Sequence, residues 1–149
     1  MYKGKGTSMR IAGLDIGDVR IGIALSDESE FLASGVESYS CVGQVEQDAK
    51  AIAGKLQVLG AGKVVFGLPR NMNGTDGPAT EKVRAFARAF AVYSDIPQAF
   101  MDERLTTAQA QRTLIGANVS RKKRKNVVDK MAAQIILQNY LDAKGGGCV

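Results

Sequence analysis

The hydrophobic period of this chain first changes near residue 44, and that change limits the folds open to it. Residues 10–17, 20–27 and 31–39 read as short strands joined by polar turns, Gly17-Asp18-Val19 and Asp27 to Glu30. Links that short predict an antiparallel meander. From residue 44 to 59 the period becomes helical, with Val45, Ala49, Ile52, Ala53 and Leu56 on one face. Gly60 and Gly62 end that helix. The stretch KVVFG, residues 63–67, reads as a buried strand, and the loop LPRNMNGTDG follows at 68–77. Pro78 then opens a helix of about fourteen residues, a favoured place for proline. QAFM, residues 98–101, is a further strand. Thr106 and Gln109 form a capping-box pattern for a helix to about Ile115. A basic loop and one long C-terminal helix complete the order β-β-β-α-β-α-β-α-α. A meander followed by strand–helix alternation predicts a mixed sheet with helices on its faces and right-handed crossovers.

The chain has 149 residues, which suits one domain. That domain is expected over residues 10–143, with flexible tails at 1–9 and 144–149. The composition, 45% apolar and 23% charged, is that of an ordinary globular protein. No apolar run approaches the ~20 residues needed to span a membrane, and MYKGKGTSMR lacks the apolar core of a signal peptide. A cytoplasmic protein with no membrane partner is expected. Cys41 and Cys148 lie far apart, without metal-binding spacing. The absence of histidine excludes Ser-His-Asp and Cys-His nucleophile systems and a histidine-based zinc site. The net charge of +5 is compatible with a polyanionic partner without requiring one.

Three carboxylates stand where apolar residues would be expected. Asp15 lies inside the first strand, sharing a face with Ile11, Gly13 and Gly17. Burying a lone carboxylate there costs several kcal/mol unless it is paired. Two readings fit: a strand-end acid bonded to the Gly17 turn, or an acid beside a phosphate or metal, with glycines leaving room. Asp102 and Glu103 follow QAFM directly, where loops at the carboxyl ends of parallel strands hold ligands. They could equally be first-turn acids of the next helix. Asp129 opens the last helix near Asn126, a candidate cap, yet it aligns with Ala133, Ile136 and Tyr140 on the inward face. Lys130, Gln134 and Gln138 fall on the polar side. Three clustered acids repel one another and are costly to bury, and divalent cations relieve both penalties. Oxygen donors suit Mg²⁺ or Mn²⁺. Two such ions about 4 Å apart can activate water and stabilise a leaving oxygen in phosphodiester cleavage.

Four stretches in order, GLDIGDVRIGIALSD, VVFGLPRNMNGTDGP, DERLTT and SRKKRKNVVDKMAAQIILQNYLD, resemble the YqgF family. Its members are described as RuvX-like Holliday junction resolvases or as pre-16S rRNA nucleases. The resemblance runs from about Arg10 to Asp142. It implies an α/β, RNase H-like fold: a five-stranded mixed sheet of order 3-2-1-4-5, flanked by helices. It also implies an acidic triad of Asp15, Glu103 and Asp129 as the catalytic and metal-binding residues, with Mg²⁺ or Mn²⁺ as cofactor. Asp18 stands where the family often has threonine or another small polar residue, which puts phosphate approach at that position in doubt.

The remaining motifs have readings of their own. Arg121, Lys122, Lys123, Arg124 and Lys125, expected in a loop before the Asp129 helix, are candidate phosphate contacts or a solvated basic run. Asn71 and Asn73 can donate to phosphate or ribose, or simply build turns. Arg104 can contact phosphate or pair with an acid. Aromatic residues make up only 6%, so backbone and shape recognition is expected over base stacking. The leading expectation is a metal-dependent endonuclease acting on structured nucleic acid, either processing the 5′ end of pre-16S rRNA or resolving Holliday junctions. The alternative is a non-catalytic nucleic-acid-binding scaffold. A sugar-kinase-like phosphotransferase is disfavoured because such enzymes close two related lobes on a nucleotide. Junction cleavage would favour a symmetric homodimer, since two strands must be cut with matched geometry.

Overall fold

The computed structural model of the protein describes residues 10–70, 73–103 and 121–146, with the backbone alone over 121–129 and 144–146. The elements are β1 (Arg10–Ile16), β2 (Arg20–Ser26), β3 (Ala33–Ser40), α1 (Val45–Val58), β4 (Ala61–Leu68), α2 (Pro78–Tyr93), β5 (Gln98–Asp102) and α3 (Arg121–Gly146). The strands form one five-stranded sheet in the order β3-β2-β1-β4-β5. β1, β2 and β3 pair antiparallel, whereas β4 and β5 join in parallel to β1 and to each other. This is the expected mixed sheet, with the expected order.

Strand alternation divides the side chains of the sheet between two layers. Ala12, Leu14, Ile21, Ile23, Val64 and Phe66 point to one face and pack with Ile52 and Leu56 of α1 and with Val83, Phe86 and Phe90 of α2. Phe66 lies edge-on to both Phe86 and Phe90, at centroid distances of 6.3 and 6.0 Å. Such pairs add to the burial of three large rings. On the other face Ile11, Ala24 and Val65 meet Ala133, Ile136, Leu137 and Leu141 of α3.

α3 seats directly on the sheet backbone because small residues line its path. In register across three strands stand Gly13, Ala24 and Gly35. A Cβ on Gly13 would lie 2.7 Å from the Leu137 Cβ and 3.2 Å from the Ala133 carbonyl oxygen. One on Gly35 would lie 3.1 Å from both the Cβ and the carbonyl oxygen of Lys130. The helix is also tied to β3. The Ala33 N–H donates to Gln138 Oε1 (2.9 Å) and the Gly35 N–H to Gln134 Oε1 (3.2 Å), while Gln138 Nε2 donates to the Phe31 carbonyl (3.0 Å). The two glutamines of the polar helix side therefore serve an edge strand. As the helix number falls from 138 to 134, the strand number rises from 33 to 35, so α3 runs antiparallel to β3. β3 and β1 point the same way, each being antiparallel to β2. The N-terminal end of α3 thus lies toward the end of β1 that carries Asp15.

Three boundaries differ from expectation. The third strand starts at Ala33, not residue 31. The Asp27 carboxylate accepts the N–H groups of Phe31 (2.8 Å) and Leu32 (3.3 Å), which folds those apolar residues into an exposed turn. Gly62 lies inside β4 and does not terminate α1. The run Arg121–Lys125 forms the first turns of α3, not a loop, and Asn126 lies within the helix instead of capping it. Lysine and arginine are good helix formers, so a basic run need not interrupt a helix. The helix expected between Thr106 and Ile115 lies outside the described residues.

Asp48 is a buried acid of a different kind. It accepts bonds from the Tyr39 hydroxyl and the Val42 N–H, both at 2.9 Å, and fixes the start of α1 to the end of β3. Desolvation, reinforced by the hydrogen bond to Asp48, pushes the Tyr39 phenol up to about 12. Asp48 faces away from the α3 layer and has a structural assignment.

Gly13→Val tests the close approach of α3. The variant should lose about 1–3 kcal/mol of stability by overpacking, measured by denaturant unfolding. A wild-type midpoint would show that α3 does not seat on Gly13.

Candidate active site

The parallel strands β1, β4 and β5 end on the same side of the sheet, where ligand sites of α/β sheets form. Asp15 is the penultimate residue of β1. It shares the α3 face with Gly13, two residues earlier. Its partner on β2 is Gly22. On β4 the register pairs Leu14 with Phe66, so the next residues, Asp15 and Gly67, lie side by side. Asp15 is therefore flanked on both neighbouring strands by glycine. The sequence alone offered only the glycines of its own strand as a source of space.

Glu103 reaches the same place from the other side. It follows the last residue of β5, and β5 pairs with β4 through Gly67 and Met101. A Cβ on Gly67 would lie 3.4 Å from Glu103 Oε2 and would collide with the tip of Ile136 on α3. The bare Gly67 thus lies at the floor of a recess between Asp15 and the Glu103 carboxylate, filled directly over the glycine by the tip of Ile136 on α3. Both acids are only partly buried. The structure brings these two sequence candidates together.

The backbone at position 129 lies in α3, one turn before Ala133, whose carbonyl oxygen faces Gly13. Given the direction of α3, that turn lies toward the Asp15 end of the sheet. The side chain of Asp129 is outside the described residues. Among the described residues, no group of three Asp, Glu, Cys or His side chains gathers to hold a metal ion. The two strand-end acids nevertheless fit a hard divalent cation. Their donors are all oxygen, and the chain contains no histidine.

Asp102 separates from Glu103 in role. Its Oδ2 lies 3.8 Å from Arg70 Nη1. Arg70 Nε also bonds Asp76 Oδ1 at 3.1 Å, and Asp76 Oδ2 lies 3.5 Å from Arg84 Nη2. This four-residue network spans the loop after β4, the end of β5 and the first half of α2. Sequence reasoning passed over Arg70, Asp76 and Arg84. The only hint was one arginine in the loop following a buried strand.

Asp18, the departure from the family pattern, is drawn to the opposite layer. Its carboxylate pairs with Lys82 of α2. The hydrogen bond from Lys82, followed by its charge, holds the Asp18 carboxyl below its ordinary range. A neutralised acid directed toward α2 adds no charge to the recess under α3. Asn73 is exposed, and its side-chain oxygen accepts the Thr75 N–H (3.1 Å) and hydroxyl (2.7 Å), which is the turn-building alternative. Asn71 and Arg104 lie outside the described residues, and so do the side chains of Arg121, Lys122, Lys123, Arg124 and Lys125. The described helices include none long and apolar enough to cross a membrane.

The Asp18–Lys82 pair generates a pH test. A folded-state pKa below the ordinary 3.8 means that its contribution is present above that value and lost as pH falls through the lower one. Carbon-detected NMR titration should find the Asp18 carboxyl titrating below 3.8, and Lys82→Ala should return it to that value. Identical titrations would show that no such pair forms.

A family model described as "RuvX: Holliday junction resolvase" matches residues 9–143. Relatives named "Putative pre-16S rRNA nuclease" include one from Pelotomaculum thermopropionicum, 47% identical over 92% of this chain and 89% of its own. Another, from Caldanaerobacter subterraneus subsp. tengcongensis, is 50% identical over 91% of this chain and 98% of its own. One from Bacillus subtilis is 44% identical over 91% and 99%. Among solved structures, "T. thermophilus RuvC in complex with Holliday junction substrate" superposes with a TM-score of 0.56 and 14% identity, covering 93% of this chain and 96% of that one. That likeness shows a shared RNase H-like fold.

Proposed function

Because this chain belongs to the RuvX Holliday junction resolvase family, we propose that it is a metal-dependent endonuclease in which Asp15, Glu103 and Asp129 hold Mg²⁺ or Mn²⁺. The observation that carries the proposal is the convergence of Asp15 and Glu103, from separate strands, on either side of the bare Gly67. A divalent ion there would supply Lewis-acid activation of water and charge stabilisation at phosphorus. The protein's own contribution is positioning. β1 and β5 fix two carboxylates at the ends of parallel strands, and α3 brings position 129 to the same end. The packing of α3 on Gly13 holds this arrangement and keeps the ion-binding groups from spreading. With no histidine in the chain, an imidazole general base plays no part.

The substrate is proposed to be structured nucleic acid, a precursor of 16S rRNA or a four-way DNA junction. The relatives' names support the first, and the family description supports the second. Recognition is proposed to run through the phosphate backbone. The first turns of α3 carry Arg121, Lys122, Lys123, Arg124 and Lys125 and no acidic residue. Cations at a helix N-terminus oppose the helix dipole. Helix stability therefore does not account for the run, whereas binding of phosphates does. A junction substrate, with two strands cut at matched positions, would call for a two-fold homodimer.

Asp15→Asn is the direct test. It should lower the cleavage rate at saturating substrate by at least about 100-fold, the scale of losing one key electrostatic group in a catalytic site. Circular dichroism and nucleic-acid binding should stay close to wild type. EDTA should abolish cleavage but not binding. Parallel assays on a four-way DNA junction and a pre-16S rRNA fragment decide the substrate. An undiminished rate for Asp15→Asn would leave the scaffold reading in possession of the site.

A further inference from the structure

We propose that Arg70 is a phosphate-binding residue of this site, gripping the nucleic-acid backbone beside the phosphate that is cut. The inference rests on the nuclease reading and adds a residue outside the acidic triad and the basic run. β4 lies between β1 and β5 in the sheet. Arg70 follows Gly67 by three residues, so it leaves the sheet between the strands that carry Asp15 and Glu103.

The guanidinium is held from two sides. Asp76 Oδ1 accepts from Nε at 3.1 Å, and Asp102 Oδ2 faces Nη1 at 3.8 Å. Asp76 is itself held by Arg84 Nη2 at 3.5 Å. Exposed ion pairs of this kind contribute at most about 1 kcal/mol to stability. Their geometric effect is larger: they fix a long side chain that would otherwise sample many rotamers. A guanidinium carries five N–H donors in a rigid fork. Among the described residues, the ion pairs of Arg70 engage Nε and Nη1, and its side chain remains about a third exposed, at 31%. Among the described residues no ion pair engages Nη2, whose N–H groups can donate to a phosphate oxygen. Pre-ordering lowers the entropy lost when such an acceptor binds. Asp102, adjacent to Glu103, ties the fork to the strand end that supplies a catalytic acid.

The test is equilibrium binding in EDTA, which removes any dependence on cleavage. Fluorescent four-way DNA junction and pre-16S rRNA fragments are titrated with wild type, Arg70→Ala, Arg70→Lys and Arg70→Gln across a salt series. Arg70→Ala should weaken binding to whichever nucleic acid the wild type binds and reduce the slope of log Kd against log salt by about 0.7–0.9, the signature of one phosphate contact. Arg70→Gln, which retains a donor toward Asp76, should lose the same slope and so separates charge from folding. Arg70→Lys should keep the slope but bind more weakly, since a point charge replaces the fork. In cleavage assays the loss should fall mainly on KM. Unchanged slopes in Arg70→Ala and Arg70→Gln would overturn the proposal, as would a loss confined to melting temperature. If these slopes change but wild type cleaves neither substrate, the nuclease reading fails and the Arg70 contact stands.

Discussion

The close seating of α3 on the sheet is the constraint from which the rest of the molecule follows. It requires three strands to offer small residues in register, Gly13, Ala24 and Gly35, each chosen by a different part of the sequence. Interiors are packed to nearly crystalline density, so a single added methyl group along that path must move the helix or the strand. With the helix down, its buried residues complete the second core layer and its N-terminal half is carried to the ends of the parallel strands. The helix backbone at position 129 is thereby carried toward the Asp15 end of the sheet by packing at Lys130, Ala133 and Leu137 of the same helix. Site and core are one construction here.

Much of the fold was legible because the chain announces its periods. The hairpin of β1 and β2 is fixed by Gly17, which opens the short turn visible in the sequence and whose N–H bonds the carbonyl of Arg20, the first residue of β2, at 2.9 Å. Pro78 opens α2 as its rules predict. Boundary errors came from side chains that act on the backbone. Phe31 and Leu32 look like strand residues by hydrophobicity, yet the Asp27 carboxylate claims their N–H groups and leaves both side chains exposed. Arg121 to Lys125 look like a solvated loop by charge, yet their intrinsic preference is helical and the helix continues through them.

The candidate site was legible in its anomalies and illegible in its lateral neighbours. Asp15 stood out because a carboxylate in an apolar strand needs a reason, and Glu103 because it follows a strand end. That Gly22 and Gly67 flank Asp15 is a matter of register between segments many residues apart, which a linear reading does not contain. The same holds for Arg70, whose partners Asp76 and Asp102 lie on a loop and a strand end. Asp18 illustrates the converse. Its departure from the family pattern put phosphate approach there in doubt, whereas its pairing with Lys82 commits it to the layer beyond the sheet.

The glutamine amides of α3 have a consequence for how copies of this chain can associate. β3 forms one margin of the sheet, and such margins invite strands from other molecules. Here Gln134 and Gln138 already occupy the N–H groups of Gly35 and Ala33. An incoming strand would have to displace both amides and dislodge the helix that holds them. Growth of the sheet by recruitment along the first half of β3 is blocked from within, so self-association must find its surface elsewhere.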